Sequence, residues 1–250
     1  MPTPPLVTVA VPSFQQGRFL ADALDSILSQ HVSVEIFLAD GGSTDQTPEI
    51  IKKYAPHLAG WRSERDGGQA NAINWAMAQG TAPFVCWLNS DDAFAANGLS
   101  TLLDALQKNS DWAMAYGKVM NTDATLTPTS AVWVQSFSRS KMAQRCIISQ
   151  PGTLMRRTAW EAVGGVNGAL HMAMDYDLWW KLSTQGPLGH VPRLVAYNRV
   201  HPETKTNSKR VQHYVEAMKV VRQHYGHVPL KWWLYWPYAV WFKSLLNPQR

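Results

Sequence analysis

The sequence predicts an α/β fold with a mostly parallel central sheet and helices on both faces, followed by a helical amphipathic tail. Over roughly the first 110 residues, short apolar runs rich in β-branched side chains alternate with segments of helical periodicity. Polar clusters follow three of the apolar runs, at 12–13, 40–43 and 89–92. Because the carboxyl ends of parallel strands meet at one edge, we expect these clusters to line one crevice.

Strands are expected at the apolar runs, and helices where apolar side chains recur every three or four residues. Pro48 suits the first turn of its helix, and Gly80 ends the helix that starts at Gln69. The expected strands are 6–11, 34–38, 58–63, 84–88, 112–120, 131–134 and 194–200. The expected helices are 18–30, 48–54, 69–79, 98–107, 158–163, 176–184 and 211–224.

Length and composition indicate one cored unit. The chain has 250 residues, of which 46% are hydrophobic and 16% charged, which excludes a disordered protein. Its two cysteines, Cys86 and Cys146, are too few for a disulfide scaffold or a cysteine zinc site. The first residues lack the charged start and apolar core of a signal peptide, so a cytoplasmic location is expected. No linker divides 1–206, whereas 207–250 form a basic, tryptophan-rich tail.

Two adjacent carboxylates, Asp91 and Asp92, come directly after an apolar strand. Adjacent carboxylates repel each other and are costly to bury without a cation. A hard divalent ion, held by one or two carboxylates and by substrate phosphates, is the usual solution. The alternative is a solvated turn with an aspartate helix cap, but the position opposite two other polar strand ends favours the cation.

The segment 40–45 also follows a strand, and its glycines allow the backbone to approach a ligand closely. Asp40 is suited to accept a hydrogen bond from a base N–H or a sugar hydroxyl. The alternative is a plain strand-to-helix turn in which Ser43, Thr44 or Asp45 caps the next helix. For Asp45 that alternative is preferred.

Together these segments resemble an inverting family 2 glycosyltransferase with the GT-A fold. The order and spacing of the motifs carry the resemblance, which covers roughly residues 6–206. The segments similar to the nucleotide-sugar half are VTVAVPSF (7–14), ADGGSTD (39–45), ERDGGQANAIN (64–74) and WLNSDD (87–92). Those similar to the acceptor half are QPGT (150–153), Gly164-Gly165, MDYDLW (174–179) and His201 followed by Lys205-Thr206.

The resemblance implies a role for each matching position. It divides 1–206 into a nucleotide-sugar half, 1–110, and an acceptor half, 111–206, and it implies Asp175 as the catalytic base. The implied ligands of a divalent metal, Mn²⁺ or Mg²⁺, are Asp91, Asp92 and His201. The implied acceptor-side residues are Gln150, Trp179 and Asp177. The implied donor-binding residues are Pro12, Phe14, Asp40, Arg65, Gly67, Gln69, Asn74, Asn89, Asp91, Asp92, His201 and Lys205.

The base assignment departs from the family pattern at one position. Met174 stands where an acidic residue is usual, so the assignment depends on Asp175 alone, with Asp177 as the competing carboxylate. Two residues apart on one helix, Asp175 and Asp177 would not share a face, so one is expected to face the crevice and the other to anchor the helix. A single base suits direct displacement with inversion, whereas a glycosidase needs two carboxylates at a set separation.

The tail carries most of the positive charge. From residue 204 onward there are eight Lys and Arg residues and one acidic residue, Glu216. Residues 232–242 are apolar or aromatic throughout, which is too short for a bilayer span of ~20 residues. Trp and Tyr favour the membrane interface, and basic residues attract anionic lipid. We therefore expect 230–246 to rest on the inner face of the cell membrane; the alternative is a helix buried against the domain or a dimer partner.

The sequence therefore predicts a metal-dependent glycosyltransferase. It would move a sugar from a nucleoside diphosphate-sugar to a hydroxyl of a glycan acceptor, and UDP is the expected nucleotide. The tail favours a lipid-linked acceptor, as in polysaccharide or O-antigen assembly.

A non-catalytic membrane-associated partner with a degenerate fold is the alternative, and Met174 favours it. A nucleotidyltransferase would need a glycine-rich basic loop after the first strand, which 12–17 does not provide. Nucleic acid is not an expected partner, because no recognisable module accompanies the basic residues.

Overall fold

A mixed sheet forms the centre of the computed structural model, which describes residues 3–204 and 209–238. The strands in this part of the chain are β1 (Val7–Ser13), β2 (Val34–Asp40), β3 (Gly60–Ser63), β4 (Phe84–Trp87), β5 (Ala93–Phe94), β6 (Met114–Thr122), β7 (Pro128–Ala131), β8 (Thr153–Arg156) and β9 (Leu188–Arg199). Their order across the sheet is β3-β2-β1-β4-β8-β6-β9-β5, and β7 pairs with β6.

Helices cover both faces of this sheet. They are α1 (Gly17–Leu28), α2 (Thr47–Tyr54), α3 (Gln69–Gln79), α4 (Gly98–Lys108), α5 (Arg139–Gln144), α6 (Arg157–Ala162), α7 (Met174–Leu182), α8 (Arg210–Tyr225) and α9 (Leu230–Trp236). One cluster of buried side chains joins α1, α2 and α4 to the sheet, and the other joins α3, α6, α7 and α8 to it. The predicted α/β fold class is therefore confirmed.

Strand β1 lies between β2 and β4, and all seven of its residues are buried. A strand covered on both faces needs apolar side chains at every position, which is why this run is continuous rather than alternating. The helix α1 shows the opposite pattern, because only one of its faces is covered: Phe19, Leu20, Ala23 and Ile27 are buried.

The sheet is uniformly parallel only in its first half. Strands β1 to β4 pair in parallel, whereas β8 is antiparallel to both β4 and β6. In the second half β6 and β9 pair in parallel, but the remaining pairs are antiparallel, so the prediction of a mostly parallel sheet holds fully for the first half alone. The short run of β8 has no clear alternation, so the sequence did not reveal the strand that reverses direction.

Several predicted elements of the second half have different bounds. The strand expected at 112–120 is Met114–Thr122, the helix expected at 158–163 is Arg157–Ala162, and the strand expected at 194–200 is Leu188–Arg199. The strand expected at 131–134 is Pro128–Ala131, because Val132 and Val134 instead pack against the two hydrophobic clusters. The helix expected at 176–184 is Met174–Leu182, so it starts before both aspartates rather than between them. Among the described residues, no helix is both long and apolar enough to cross a membrane.

Candidate active site

An open crevice of about 760 Å³ lies at the carboxyl ends of β1, β2 and β4. This volume falls within the range of roughly 300–1,000 Å³ that is usual for ligand pockets. The three polar strand ends do converge there, as the alternation of strands and helices predicts. The predicted site residues that line it are Pro12, Phe14, Arg65, Gly67, Gln69, Asn89, Asp91, Asp92, Gln150 and Asp175.

The two adjacent carboxylates lie at different depths. Asp92 is buried and accepts hydrogen bonds from the backbone N–H of Arg199 (3.0 Å) and the amide of Asn89 (3.1 Å). Asp91 is half-buried and accepts a hydrogen bond from Gln16 Nε2 at 3.2 Å. Burial, together with the negative charge of Asp91, raises the pKa of Asp92 well above its ordinary value. The crevice floor therefore holds a carboxylate pair that an added cation would stabilise.

His201 is bonded to two residues that line the crevice, Asp91 and Glu203. Its side chain is buried beside the ring of Phe19, with Nε2 3.0 Å from Asp91 Oδ2 and Nδ1 2.9 Å from Glu203 Oε2. The hydrogen bond to Asp91 raises the pKa of His201, burial opposes it, and Glu203 adds to the rise. The ring of His201 does not itself line the crevice, and its predicted contact with the donor or a metal stays a prediction. Lys205 lies outside the described residues.

The donor set suits a metal that is shared with a ligand. In the described part of the chain, no group of three or more His, Cys, Asp or Glu side chains is arranged to hold a metal ion. Mg²⁺ and similar hard ions are nevertheless often bound through one or two carboxylates plus substrate phosphates. Asp91 and Asp92 fit that requirement, because both residues line the crevice, and burial beside the charge of Asp91 raises the pKa of Asp92.

A chain of side-chain amides holds the centre of the crevice. Gln69 donates to Asn89 (2.7 Å), Asn89 donates to Gln150 (3.1 Å), and Gln150 donates to the backbone carbonyl of Trp87 (2.8 Å). Gln69 follows a turn in which Gly67 and Gly68 have φ values of +75° and +114°, which only glycine adopts readily. The turn and the amide chain thus position polar groups from both halves of the protein against one space.

Asp175 lies in the first turn of α7 and faces the crevice, together with Met174. Its Oδ1 accepts a hydrogen bond from the backbone N–H of Tyr176 at 2.8 Å. The surrounding protein raises the pKa of Asp175 through burial, while the Tyr176 N–H and the charge of His213 oppose that rise. A carboxylate with a raised pKa is better matched to accepting a proton near neutral pH than an ordinary one.

Two residues expected to contact the donor are hydrogen-bonded within the protein. Asp40 is fully buried and accepts hydrogen bonds from the Ser43 backbone N–H (3.0 Å) and from Ser63 Oγ (2.6 Å). Asn74 donates to the Val166 carbonyl (2.9 Å) and accepts from the Val166 N–H (3.1 Å). Neither side chain lines the crevice, so the assignment of both to donor binding stays a prediction that the hydrogen bonds above do not support.

Two residues of the predicted acceptor side, Trp179 and Asp177, do not line the crevice. Trp179 is fully buried and stacks on Trp87 with ring centroids 5.8 Å apart. Asp177 is buried and bonded to His224 and Lys181. Both side chains belong to the interior because positions on the buried face of α7 pack against the sheet and α8. Gln150 is the one residue of that predicted set on the crevice wall.

Several crevice residues were not predicted. Gln16 bonds both Asp91 and Ser90, and the polar segment after β1 was a signal that could have identified it. His171 and Met172 come from a segment without periodicity, so no sequence pattern marks them. Asn198 and Arg199 reach the crevice because β9 pairs in parallel with β6, a long-range pairing that no local pattern reveals.

The sheet order, the flanking helices and the crevice together define the GT-A fold, and comparison with solved structures agrees. Staphylococcus aureus TarS (residues 1–349) in complex with UDP superposes with a TM-score of 0.67 at 19% identity, covering 87% of this chain and 64% of that one. The mannosyltransferase PcManGT from Pyrobaculum calidifontis, in complex with GDP-Man and Mn²⁺, gives 0.65 at 20% identity, covering 87% and 65%.

The sequence family is shown directly. The family model "Glycosyl transferase family 2" matches residues 8–164, and the chain belongs to this family. The resemblance read from the motifs is thereby confirmed.

Curated relatives act in polysaccharide synthesis, as their names state. A chondroitin synthase of Escherichia coli is 28% identical over 239 residues, which is 93% of this chain and 34% of the relative. A hyaluronan synthase of Pasteurella multocida is 29% identical over 212 residues, covering 83% and 22%. The chain therefore spans about a third or less of these relatives.

Proposed function

We propose that this chain is a metal-dependent inverting glycosyltransferase that moves one sugar from a nucleoside diphosphate-sugar to a hydroxyl of a glycan acceptor. The observation that carries the proposal is that Asp91, Asp92 and Asp175 line the same crevice. The first two form a carboxylate pair suited to a metal and a diphosphate, and the third is a lone carboxylate with a raised pKa. Sugar transfer from a diphosphate needs these two functions, charge neutralisation and one base.

The donor would bind along the segments of the first half. Pro12 matches a family position at the base and Arg65 one at the nucleotide or its ribose, and both line the crevice together with Phe14. Phe14 is 61% exposed, so its ring is free to pack against a planar base. We take UDP as the nucleotide, which agrees with the UDP bound to TarS, whereas the GDP-Man of PcManGT makes GDP the competing choice.

The transfer itself would be a direct displacement. The acceptor hydroxyl oxygen bonds to the anomeric carbon, the bond from that carbon to the diphosphate oxygen breaks, and Asp175 takes the hydroxyl proton. A divalent ion held by Asp91 and Asp92 would neutralise the charge on the departing diphosphate. Because one carboxylate acts and no covalent intermediate forms, the anomeric configuration inverts.

The acceptor is proposed to be lipid-linked and the protein to rest on the inner face of the cell membrane. Helix α9 buries Trp232, whereas Leu230, Trp233, Leu234 and Tyr235 are exposed on it. A helix that exposes apolar and aromatic side chains beside basic residues suits a lipid interface. Only 230–238 of the proposed membrane segment 230–246 belong to the described residues.

The proposal is tested by calorimetric titration of UDP, GDP and dTDP into the protein, with Mn²⁺ and then with EDTA. We expect one nucleotide to bind in the presence of Mn²⁺, and we expect EDTA or Asp91→Asn to weaken that binding at least tenfold. Asp104→Asn is the matched control, because Asp104 is exposed on α4 away from the crevice. If none of the three nucleotides binds, the proposal fails and the non-catalytic alternative replaces it.

A further inference from the structure

A single carboxylate on α8 holds the backbone that leads into α7. Glu216 Oε2 accepts hydrogen bonds from three consecutive backbone N–H groups, those of His171 (3.0 Å), Met172 (2.8 Å) and Ala173 (3.2 Å). Its other oxygen, Oε1, accepts from Gln212 Nε2 at 2.8 Å. The side chain is buried, with 8% of its surface exposed. One carboxylate oxygen of Glu216 therefore binds only this segment, and the other binds a side chain of its own helix.

The segment that Glu216 holds is part of the crevice wall. His171 and Met172 line the crevice, and Ala173 immediately precedes Met174 and Asp175, which also line it. The N-terminal end of α7 also carries the positive end of its helix dipole, which a buried carboxylate stabilises. The direction in which Asp175 is presented thus depends on hydrogen bonds donated to a residue some forty positions later in the chain.

A second contact joins the same two helices. His224, the penultimate residue of α8, has its Nε2 2.7 Å from Asp177 Oδ1. Helix α8 therefore contacts α7 at two places, at the segment before its first turn and at Asp177. Two contacts fix the orientation of one helix against another, whereas a single contact would leave it free to pivot.

We propose that Glu216 is a positioning residue. It holds residues 171–173 in place and so fixes the part of the crevice wall beside Asp175, which we call the acceptor wall because the acceptor is expected to bind there. This inference rests on the proposed function, since it assigns that wall to the acceptor. It makes α8 a part of the active site rather than only a connection to α9. The hydrogen bonds to Glu216 are charge-assisted, so a neutral amide at this position weakens them.

The main test compares Glu216→Gln with the native chain by amide hydrogen exchange and by kinetics. We expect the peptide that contains 171–173 to exchange about tenfold faster in the variant, as the loss of charge-assisted hydrogen bonds implies. With the donor that calorimetry selects and a panel of p-nitrophenyl hexosides and N-acetylhexosaminides, we expect kcat/KM for the acceptor to fall about tenfold or more. The Kd of the nucleotide should stay within twofold.

Two further variants keep the test decisive. Gln212→Ala removes only the brace on Oε1 and should cause a smaller change in the same direction. Lys219→Gln, a charge-to-amide change at an exposed position of α8, should change neither exchange nor kinetics. If Glu216→Gln fails to fold, the same measurements on Gln212→Ala test whether Glu216 positions residues 171–173.

The outcomes separate this inference from the proposed function. Unchanged exchange at 171–173, or an equal loss of nucleotide affinity and acceptor kcat/KM, would overturn the role of Glu216. Absence of transfer by the native chain would contradict the proposed function instead. In that case the exchange rates alone decide whether Glu216 holds the segment.

Discussion

Asp177 Oδ1 lies 2.7 Å from His224 Nε2, so the helix that carries Asp175, α7, is bonded to helix α8. Asp175, two positions earlier, faces the crevice. Residues two apart on a helix point to different sides, and the two carboxylates accordingly have different surroundings. This arrangement explains how α7 can present one carboxylate to a ligand and use the other for its own attachment.

Asp177→Asn tests that attachment through its pH dependence. Burial alone would raise the pKa of Asp177, but the bond from His224 and the charge of Lys181 lower it below its ordinary value of 3.8. A carboxyl with a lowered pKa contributes stability above its ordinary pKa and loses it as the pH falls through the lowered value. We expect the variant to lose about 1–3 kcal/mol near neutral pH. Its unfolding free energy should also fall less steeply below pH ~4.

Urea denaturation of both proteins between pH 3 and pH 7 checks this prediction. The difference between the two curves isolates Asp177 from the other carboxyl groups. Curves that run parallel over the whole range would show that folding does not shift the pKa of Asp177, and would contradict the prediction.

Asn74→Ala distinguishes a structural role from a donor-binding role. The Asn74 amide makes two hydrogen bonds with the backbone of Val166, and it joins α3 to the segment after α6. We expect the alanine variant to lose about 1–3 kcal/mol of unfolding free energy. Thermal denaturation and nucleotide titration measure the two quantities. A nucleotide Kd that rises more than fivefold at unchanged stability would contradict the structural role and support donor binding by Asn74.

The exposed face of α9 is tested with lipid vesicles. Trp233 and Leu234 are 59% and 71% exposed, and burying such side chains contributes roughly 1.5–3 kcal/mol each. We expect the native chain to cosediment with phosphatidylglycerol vesicles, more strongly than with phosphatidylcholine. The double variant Trp233→Ser, Leu234→Ser should bind at least about tenfold more weakly.

Trp61→Ser is the matched control, since Trp61 is 45% exposed on β3. Equal vesicle binding by the control and the native chain is required. If the native chain does not bind vesicles but forms dimers that the double variant does not form, the exposed face of α9 binds a second copy of the chain. The membrane proposal then fails.

The first half of the fold and the convergence of its polar segments were predictable, because local patterns determine them. The buried run of β1, the bounds of α3 and the carboxylates after β4 all follow from composition and spacing within a dozen residues. The second half depends on pairings between distant segments. The antiparallel β8, and the approach of β9 that brings Arg199 to Asp92, leave no local signal.

The roles of individual site residues were less predictable than their positions. Asp40 follows a strand at the crevice edge, yet Ser43 and Ser63 occupy its carboxylate. Glu216 is the only acidic residue of a basic tail, and nothing in the sequence indicates that it would bond to 171–173. A motif specifies which residue types come together, whereas hydrogen-bond partners are decided by the tertiary contacts.

The most direct test of the account is Asp175→Asn, measured for nucleotide binding and for sugar transfer to the glycoside panel. The amide keeps the shape of the side chain and removes its ability to take a proton. We expect the nucleotide Kd to stay within twofold and the transfer rate to fall by about 10²-fold or more, the usual contribution of a general base. A variant that transfers sugar at the native rate would contradict the assignment of Asp175 as the base.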